Sequence, residues 1–518
     1  MKYETINPKV KIVGFGPFVK LEDGKTITPD EFVYGASRIT YQGMKALDEL
    51  IAEKEGDKDI REKMIKSLIK SAGSGHASMA TTPGFWCILE GTSSKLVDSI
   101  FTGARFSSSL MPSGRRVPIA KENIVIPKGI LEAGEKATDI YIRTSEKNIE
   151  VYEELQKRGV STQEASKIVQ YGHFGGGFMF MPLETLMSDS KMFKRDPDAI
   201  PAEGHEIISQ LEKFVHENGM EIVYEARKEA PREGCPNPNI FHNRKNWASN
   251  PYFILGKDVN IISARDNGDA ERNKKITDYL NLREKIFSKH ELIENEGERL
   301  LEELQEVVSD NNNSVEVTTF VHTPWRVFGE VKRHRTLPQI AESIYLAVEQ
   351  AKSFVEKDNF EKAVSIPNKV KDNIENLDMW KKTFANSLSA YENLLEEGVK
   401  KSDAIAVIPR GLKLGVIKTF DFYNLTTGYM SLRLCSTAEP EMRAITEKER
   451  ELIIEDSRIK LDVKFLIAPK CHYTGFCHEA DFSKCCGKVK REVGNYDEEL
   501  HNNVAKTREQ KIRTAINN

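Results

Sequence analysis

The sequence predicts an α+β fold, built as two tandem domains in which helices pack on a mixed or antiparallel sheet. Two observations lead to this prediction: short apolar runs alternate with long amphipathic segments, and the whole order of elements occurs twice. The 518 residues of the chain are enough for two large domains. We predict a first domain at 1–228, a linker at 229–252, a second domain at 253–464 and a Cys/His-rich tail at 465–518.

The first copy of the repeat begins with two short runs that have the Gly and Pro punctuation of strands, at 11–17 and 32–40. The segment at 42–71 is rich in Lys, Glu, Leu and Ile, and it predicts helices. An apolar run of strand length follows at 85–91, and a stretch with helical spacing comes next, at 93–103. An Arg-rich loop and two amphipathic helices complete this copy, at 104–116, 145–172 and 203–217.

The second copy repeats this order after the linker, in which Pro, Asn and Gly are concentrated without a clear period. Strand-like runs lie at 259–267 and 315–323, and a long helical segment at 270–308 separates them. An Arg-rich loop follows at 332–343. Further helices are predicted at 339–357, 369–399 and 426–435. Because the Arg-rich loop has the same place in both copies, we interpret the repeat as a duplication.

Composition excludes several classes of protein. Lys+Arg 75 against Asp+Glu 79 gives a formal net charge of -4, whereas a nucleic-acid binder usually carries a basic excess. No stretch approaches the roughly 20 apolar residues of a membrane span, and the N-terminus lacks the apolar core of a signal peptide. The seven cysteines, an odd number, are typical of reduced thiols. We therefore expect a cytoplasmic protein without a nucleic-acid or membrane partner.

Two guanidinium groups flank an imidazole at Arg333, His334 and Arg335, here called the RHR cluster, with Lys332 beside them. Like charges at this spacing repel one another, and an anion would offset that cost, because guanidinium groups suit phosphate and carboxylate oxygens. On spacing alone, a solvated helix end is the more ordinary interpretation, since cations there complement the helix dipole.

A second candidate anion site is the loop at 107–116, which combines hydroxyl groups, a glycine and two arginines. Glycine lets the backbone approach a phosphate closely, while serine and arginine side chains donate hydrogen bonds. An ordinary polar loop has the same composition, so this pattern leaves both interpretations open. Neither a P-loop nor a GxGxxG pattern after a strand is present in the sequence.

Together these segments resemble the flavin-dependent thymidylate synthases. The RHR cluster is similar to the start of that family's signature, RHRxxSxNExSxR, and the segment at 438–443 is similar to its later AQxEIR. The segment at 75–78 resembles the family's H-x-S/T pattern. Four residues of the first copy fall on the R, S, S and R of the signature: Arg105, Ser108, Ser113 and Arg115. The resemblance covers most of both copies, apart from the linker and the tail.

The resemblance implies reductive methylation of dUMP to dTMP at the uracil C5. FAD would be the cofactor, and NADPH and methylenetetrahydrofolate would be co-substrates that supply the hydride and the carbon. It implies FAD binding by Ser78, Arg333, His334 and Arg335. It implies dUMP binding by Ser113, Gly114, Arg115, Arg333 and Arg443. Arg443 would also be catalytic, because a cation at the uracil edge favours the N3-deprotonated ring.

Each copy departs from the family signature in a different place. In the first copy, Gly103-Ala104-Arg105 stands in place of RHR and Leu110-Met111 in place of the Asn-Glu pair. In the second copy, Ile340-Ala341 stands in place of Asn-Glu and Tyr345 in place of the last arginine.

These losses are complementary, because the second copy keeps the RHR cluster and Arg443 while the first keeps Ser113, Gly114 and Arg115. In the resembled family the sites lie between subunits of a tetramer. One composite site would therefore survive for each pair of copies, and a homodimer of this chain would supply four family-like domains.

The tail carries cysteine and histidine at short intervals, at Cys471, Cys477, Cys485 and Cys486 and at the neighbouring His472 and His478. Four thiolates, or three thiolates and one imidazole, could bind zinc. Free thiols are the alternative, since the spacing matches no standard zinc finger and adjacent cysteines are awkward for one tetrahedral site. The resemblance itself implies no metal.

Two further functions stay open at this point. One is a related flavin-dependent enzyme that modifies another pyrimidine nucleotide, since the Asn-Glu pair is missing from both copies. The other is a non-catalytic relative that binds nucleotide, flavin or a partner protein.

Overall fold

The structure is a computed structural model that describes residues 3–56, 59–112, 119–231, 237–244, 258–289, 294–479, 481–494 and 496–517. The chain divides into two compact units and passes between them several times. The first unit comprises Met1–Ala248, Pro324–Arg335 and Ala341–Leu414, and the second comprises Ser249–Thr323, Thr336–Ile340 and Gly415–Asn518. Within the described ranges, no helix combines the length and the apolar character that a membrane crossing requires.

The strands in the described part of the chain are β1 (Glu4–Thr5), β2 (Lys9–Gly16), β3 (Val19–Lys20), β4 (Thr26–Ile27), β5 (Gly84–Ser93), β6 (Ser108–Leu110), β7 (Val125–Ile126), β8 (Phe174–Pro182), β9 (Val259–Asp266), β10 (Val315–Pro324), β11 (Gln339–Ala341) and β12 (Lys413–Asp421). Two sheets have four strands each, in the orders β2-β5-β8-β6 and β9-β10-β12-β11. The pairs β2–β5, β5–β8, β6–β8 and β9–β10 are antiparallel.

Among the described residues, the helices of the first unit are Pro29–Gln42, Lys45–Glu55, Arg61–Ser71, Ser78–Thr81, Ser94–Ser99, Lys128–Glu132, Glu135–Lys157, Thr162–Ala165, Leu183–Arg195, Ala202–Glu217, Glu221–Lys228, Trp325–Val331, Ile344–Glu356, Phe360–Ala363, Asn368–Lys371, Ile374–Glu396 and Lys401–Ala404. The helices that the structure describes in the second unit are Ala270–Phe287, Glu294–Asp310, Phe422–Leu425, Tyr429–Arg433, Pro440–Glu455, Leu461–Phe465, Lys470–Thr474, Lys488–Val493 and Glu498–Asn517.

The two sheets are copies of each other, which confirms the predicted α+β fold and its tandem duplication. Counterpart strands have equal lengths: eight residues in β2 and β9, ten in β5 and β10, nine in β8 and β12, and three in β6 and β11. The helices Glu135–Lys157 and Ile374–Glu396 are likewise both 23 residues long. Each precedes a four-residue helix and then β8 or β12.

Equivalent segments of the two copies pair with each other inside the first unit. Gln170 and Pro409, which lie at the same distance before β8 and β12, face each other in an antiparallel bridge. Four backbone hydrogen bonds flank the bridge, from the N–H of Tyr171 to Ile408 O, Arg410 to Val169 O, Gly172 to Ala406 O and Gly411 to Lys167 O. For each bond in which the first copy donates and the second accepts, there is an equivalent bond in which the second copy donates and the first accepts. The pairing therefore has local two-fold symmetry. Pro409 fits at the centre because the neighbouring residues make the bonds there.

The two 23-residue helices follow the same symmetry and run antiparallel. Ion pairs join opposite ends of the helices: Arg158 with Glu375 at 2.9 Å, and Lys136 with Glu397. Near the middle of the helices, the Ser387 hydroxyl donates to Asn148 Oδ1 at 3.1 Å. Both of these side chains are buried, so the helices contact each other over their length.

A buried ion pair joins the sheet of the second unit to helix Pro440–Glu455. Lys418 Nζ, on β12, lies 2.6 Å from Glu449 Oε2, and neither side chain is exposed. The Thr319 hydroxyl, on β10, donates to the other carboxylate oxygen at 2.6 Å, and Lys418 also donates to Tyr429 Oη at 3.2 Å. Burial lowers the pKa of Lys418, but the Glu449 carboxylate and the Tyr429 hydroxyl outweigh burial and leave that pKa raised. The lysine is therefore charged, and its carboxylate partner holds the helix on the sheet.

Most of the predicted strands are confirmed, but one is wrong. The residues at 32–40 lie in helix Pro29–Gln42. That helix starts with a capping box between Thr28 and Glu31 and has a proline in its first turn. These helix start signals lie at the beginning of the helix, before the run at 32–40 for which the sequence predicts a strand. The runs at 11–17, 85–91, 259–267 and 315–323 form β2, β5, β9 and β10.

The predicted helix at 339–357 is wrong in its first turn, because that turn is strand β11 and the helix is Ile344–Glu356. The domain boundaries at 228, 252 and 464 stay a prediction. Much of the predicted linker, 232–236 and 245–252, lies outside the described residues.

Removal of the Glu449 carboxylate is expected to destabilise the protein strongly. Glu449→Ala leaves the buried Lys418 ammonium without its carboxylate, which costs about 3–5 kcal/mol of unfolding free energy. The double variant Lys418→Met/Glu449→Leu removes both charges and should cost much less, because no unpaired ion stays buried. Urea unfolding followed by circular dichroism measures both. A single variant no less stable than the double variant would contradict the described ion pair.

Candidate functional site

The RHR cluster directly follows a short helix whose two ends are held by hydrogen bonds. Strand β10 ends at Pro324, which precedes helix Trp325–Val331 as its N-cap residue. The Trp325 indole N–H donates to the Ser99 hydroxyl at 2.7 Å, and both groups are buried. At the other end of the helix, the His334 N–H donates to Val331 O at 3.1 Å. These hydrogen bonds fix the start and the end of the helix. They therefore also fix the position of the turn that carries the cluster.

Arg335 binds the equivalent loop of the first copy. Its Nε donates to Ala104 O at 3.0 Å, and its Nη2 donates to Thr102 O at 3.2 Å. Burial lowers the pKa of Arg335, and the neighbouring Arg333 lowers it further. The two carbonyl oxygens accept the hydrogen bonds that a half-buried guanidinium needs to donate. Arg335 therefore joins the equivalent loops of the two copies.

The other two members of the cluster are more accessible. Arg333 is exposed, His334 is half-buried, and all three belong to the first unit. Lys332, by contrast, is buried, and its side-chain stem lies about 3.4 Å from the position that a Cβ on Gly103 would take. The arrangement presents the Arg333 guanidinium to solvent on a turn that Arg335 and Lys332 hold in place, which suits the binding of an anion.

The predicted residues of the first copy lie only partly within the described chain. Ser78 begins helix Ser78–Thr81 and is exposed, as is His76 just before it. Ser113, Gly114 and Arg115 lie outside the described residues.

Arg443 belongs to the second unit, in the first turn of helix Pro440–Glu455. The buried Glu439 carboxylate caps this helix by accepting the Met442 N–H at 2.8 Å. The Arg443 side chain is 36% exposed, and its Nε lies 3.6 Å from Glu447 Oε1. An exposed ion pair of this kind is worth about 0–1 kcal/mol, so an anionic ligand can replace the glutamate at little cost.

The tail packs on the loop that leads into the Arg443 helix. The Thr437 hydroxyl donates to Glu479 Oε1 at 2.9 Å. The Lys488 ammonium donates to Leu434 O at 3.4 Å and lies 4.0 Å from Glu447 Oε1, the carboxylate that also faces Arg443. The Cys/His-rich tail is thus part of the surroundings of Arg443.

Sequence reasoning missed two features of these sites. The role of Arg335 depends on backbone carbonyls, which every residue has and which leave no signal in the sequence. The Lys418–Glu449 pair did have a signal, because Lys418 lies inside strand β12 between the apolar residues Ile417 and Phe420. A charge inside an apolar strand predicts a buried partner, although not which residue supplies it.

The family model of the thymidylate synthase complementing proteins matches this chain twice, at residues 24–187 and 284–456. The flavin-dependent thymidylate synthase of Pyrococcus furiosus is 29% identical over 140 residues, which are 26% of this chain and 57% of the relative. That of Pyrococcus abyssi is 27% identical over 126 residues, which are 24% of this chain and 51% of the relative. The chain spans about half the length of the curated relatives that it matches.

Two solved structures resemble the chain. A UMP/dUMP methylase, PolB from Streptomyces cacaoi, covers 45% of this chain and 100% of its own, with 14% identity and a TM-score of 0.33. The flavin-dependent thymidylate synthase of Helicobacter pylori, complexed with FAD and dUMP, covers 41% and 98%, with 13% identity and a TM-score of 0.28.

The two regions of the family match include the 23-residue helices of both copies and all the strands of the two four-stranded sheets except β2 and β9. Since these regions make up more than half of the sequence, the chain belongs to the thymidylate synthase complementing protein family.

Proposed function

We propose that this chain is a flavin-dependent thymidylate synthase, which methylates dUMP reductively at the uracil C5. The double family match is the observation that carries the proposal, and the fixed, exposed Arg333 supports it. FAD, when bound, would pass reducing equivalents from NADPH to the methylene carbon that methylenetetrahydrofolate donates. Turnover of dUMP to dTMP by the purified protein, with these three compounds added, tests the proposal.

The chemistry of the RHR cluster fits a flavin nucleotide. Arg333 would bind the diphosphate, because a guanidinium pairs with phosphate oxygens through two parallel hydrogen bonds. His334 lies beside it, half-buried, and would line the flavin. Arg335 would act mainly by holding the turn, since two of its nitrogens already donate to Thr102 and Ala104. Ser78 is exposed and would contribute a hydroxyl to the same cofactor.

Arg443 would act on the nucleotide base. Its guanidinium is already partly exposed and has only a weak ion pair with Glu447 to give up. A cation at the uracil edge stabilises the N3-deprotonated ring and the charge that develops during reaction at C5. Ser113, Gly114 and Arg115 would bind the phosphate of dUMP.

A second candidate is an enzyme of the same fold that modifies another pyrimidine nucleotide. Apolar side chains replace the signature asparagine in both copies, and Leu110 and Ile340 are exposed there, by 75% and 53%. Neither side chain can hydrogen-bond a base or a flavin. Parallel assays with dUMP, UMP and dCMP separate the two enzymes, and a yellow protein without turnover on any nucleotide would identify a non-catalytic relative.

The assembly we propose is a homodimer of two-copy chains. Trp86 and Ile88 on β5 pair with Phe180 and Phe178 on β8, and Leu110 on β6 pairs with Phe178. Directly paired residues share a face of the sheet, so these five form one apolar face. None of them is buried, and Trp86 is 42% exposed. A second copy of the chain would cover this face, which would also recreate the four domains of the resembled tetramer.

Loss of the Arg333 guanidinium should weaken FAD binding. A charge-assisted hydrogen bond to phosphate is worth about 1.5–3 kcal/mol, so Arg333→Ala should raise the Kd for FAD by roughly ten- to a hundred-fold. Fluorescence titration of apoprotein measures this change. Arg143→Ala, which removes an arginine that is 79% exposed on helix Glu135–Lys157, is the matched control and should not change the Kd. If Arg333→Ala binds FAD as tightly as this control, the assignment fails.

Substitutions at the residues proposed to bind dUMP should separate effects on dUMP binding from effects on turnover. Arg115→Ala should weaken dUMP binding by roughly ten- to a hundred-fold, because it removes a phosphate contact. Arg443→Ala should mainly lower kcat, since its charge matters most when the ring becomes anionic. Tyr345→Phe is the control, because the buried Tyr345 hydroxyl donates to Ala199 O and has no nucleotide to bind. Equal losses of dUMP affinity in Tyr345→Phe and Arg115→Ala would refute the division of labour between the copies.

A charge on the apolar sheet face should dissociate the proposed dimer. Light scattering should give twice the 58.7 kDa chain mass for the unaltered protein and the chain mass for Leu110→Glu. Ile374→Glu places the same charge on a helix start where the isoleucine is 69% exposed, and it should stay dimeric. A monomeric unaltered protein, or a dimeric Leu110→Glu, would show that this face is not the interface.

A further inference from the structure

Five cysteines from separate segments of the second unit line one small cavity, here called the cysteine cavity. Cys435 follows helix Tyr429–Arg433, and Cys471 lies in helix Lys470–Thr474. The other three lie in the next stretch of the tail: Cys477, Cys485 and Cys486. The cavity has a volume of about 40 Å³, which is the space of roughly one water molecule. The sequence relates the four tail cysteines by their spacing, but only the fold adds Cys435 to them.

The thiols are free and close enough to influence one another. Cys477 and Cys485 line the same cavity and interact electrostatically with each other. Cys471 interacts electrostatically with Cys486, Cys435 and Cys485, so it connects the tail cysteines with Cys435. Cys486 differs from the other four, because it is the exposed one.

The cavity also carries the countercharge that a group of thiolates needs. Lys470, Lys484 and Lys488 line it, against the single carboxylate of Glu479. A zinc ion with four thiolate ligands has a net negative charge, and nearby ammonium groups stabilise that charge. Without such an anion, the three lysines would repel one another, and the nearby carboxylates are Glu479 in the cavity lining and Glu447 at 4.0 Å from Lys488.

We propose that Cys435, Cys471, Cys477 and Cys485 bind one zinc ion. Four thiolates suit the tetrahedral coordination of structural zinc, and the small cavity suits one ion better than an iron–sulfur cluster. Adjacent residues such as Cys485 and Cys486 reach two corners of one tetrahedron poorly, so the exposed Cys486 is left out. This proposal is independent of the catalytic function proposed above.

Binding would require the thiol side chains to turn inward. As the side chains stand in the described ranges, no group of three or more His, Cys, Asp or Glu residues is arranged to hold a metal. Each ligand must also lose its proton, so one zinc ion entering would release four protons and form four zinc–sulfur bonds without any redox change. A cysteine changes the direction of its sulfur by rotation about one side-chain bond, which leaves the backbone in place.

The zinc ion would fix the position of Arg443. Cys435 lies in the loop that leads into the Arg443 helix, and the other three ligands lie in the tail. The tail already contacts that loop through the Thr437–Glu479 hydrogen bond and through Lys488. Zinc would add a cross-link between the same two segments that does not depend on weak surface contacts. Its role would be structural, because none of the ligands is needed for chemistry on the nucleotide.

The metal content of the full chain tests the proposal. Protein purified under reducing conditions without chelators should contain one equivalent of zinc by plasma mass spectrometry. Cys435→Ser, Cys471→Ser, Cys477→Ser and Cys485→Ser should each lose that equivalent, while the matched control Cys486→Ser should keep it. Zinc-free protein with all its thiols reduced, or iron with sulfide in place of zinc, would overturn the proposal. Zinc lost from Cys486→Ser but kept by Cys435→Ser would overturn the assignment of Cys435.

A second measurement covers ligand variants that fail to fold. The unaltered protein is treated with a strong chelator and then given zinc or cobalt. Zinc should restore the thermal midpoint and the hydrogen-exchange protection of residues 434–439, and cobalt should give the intense visible absorption of a tetrahedral thiolate site. An unchanged midpoint and unchanged protection after complete chelation would contradict a structural zinc ion.

Discussion

The pairing of Gln170 with Pro409 is the constraint on which the first unit depends. Through this bridge and the backbone bonds on either side of it, the two copies meet as equivalent chains rather than as independent domains. The antiparallel packing of the 23-residue helices follows from the same symmetry. So does the meeting of two equivalent loops, in which Arg335 donates to the carbonyls of Thr102 and Ala104. The RHR cluster is thus placed by a contact between copies and not within one copy.

The second unit is held together by a different kind of contact. A charged lysine on β12, a carboxylate on helix Pro440–Glu455 and a hydroxyl on β10 form a network without access to water. Such a network tolerates few alternative arrangements, because each unmatched group would be costly. It fixes the body of the helix, while the capping Glu439 and the contacts of the tail fix its start. Arg443 lies in the first turn, where both effects act.

Much of the architecture could be predicted from the sequence, and the failures have physical reasons. The apolar run at 85–91 forms strand β5, as its length predicts. The run at 32–40 looked similar, but the capping box at Thr28 favoured a helix. The RHR cluster could be found from its pattern, whereas the carbonyl partners of Arg335 could not. The four tail cysteines could be grouped by their spacing, whereas Cys435 could not be added to them, because no local pattern reports a contact between distant segments.

The unlike residues at the two-fold bridge have a consequence for how this chain can change. In a dimer of identical subunits, a residue on the axis faces its own copy, and every mutation occurs on both sides at once. Here Gln170 faces Pro409, a combination that identical subunits cannot form. Fusion of the copies into one gene lets each side of the axis accumulate its own substitutions. A mutation that would be harmful when doubled can then persist when it occurs once, which gives a route to the proposed division of labour between the two copies.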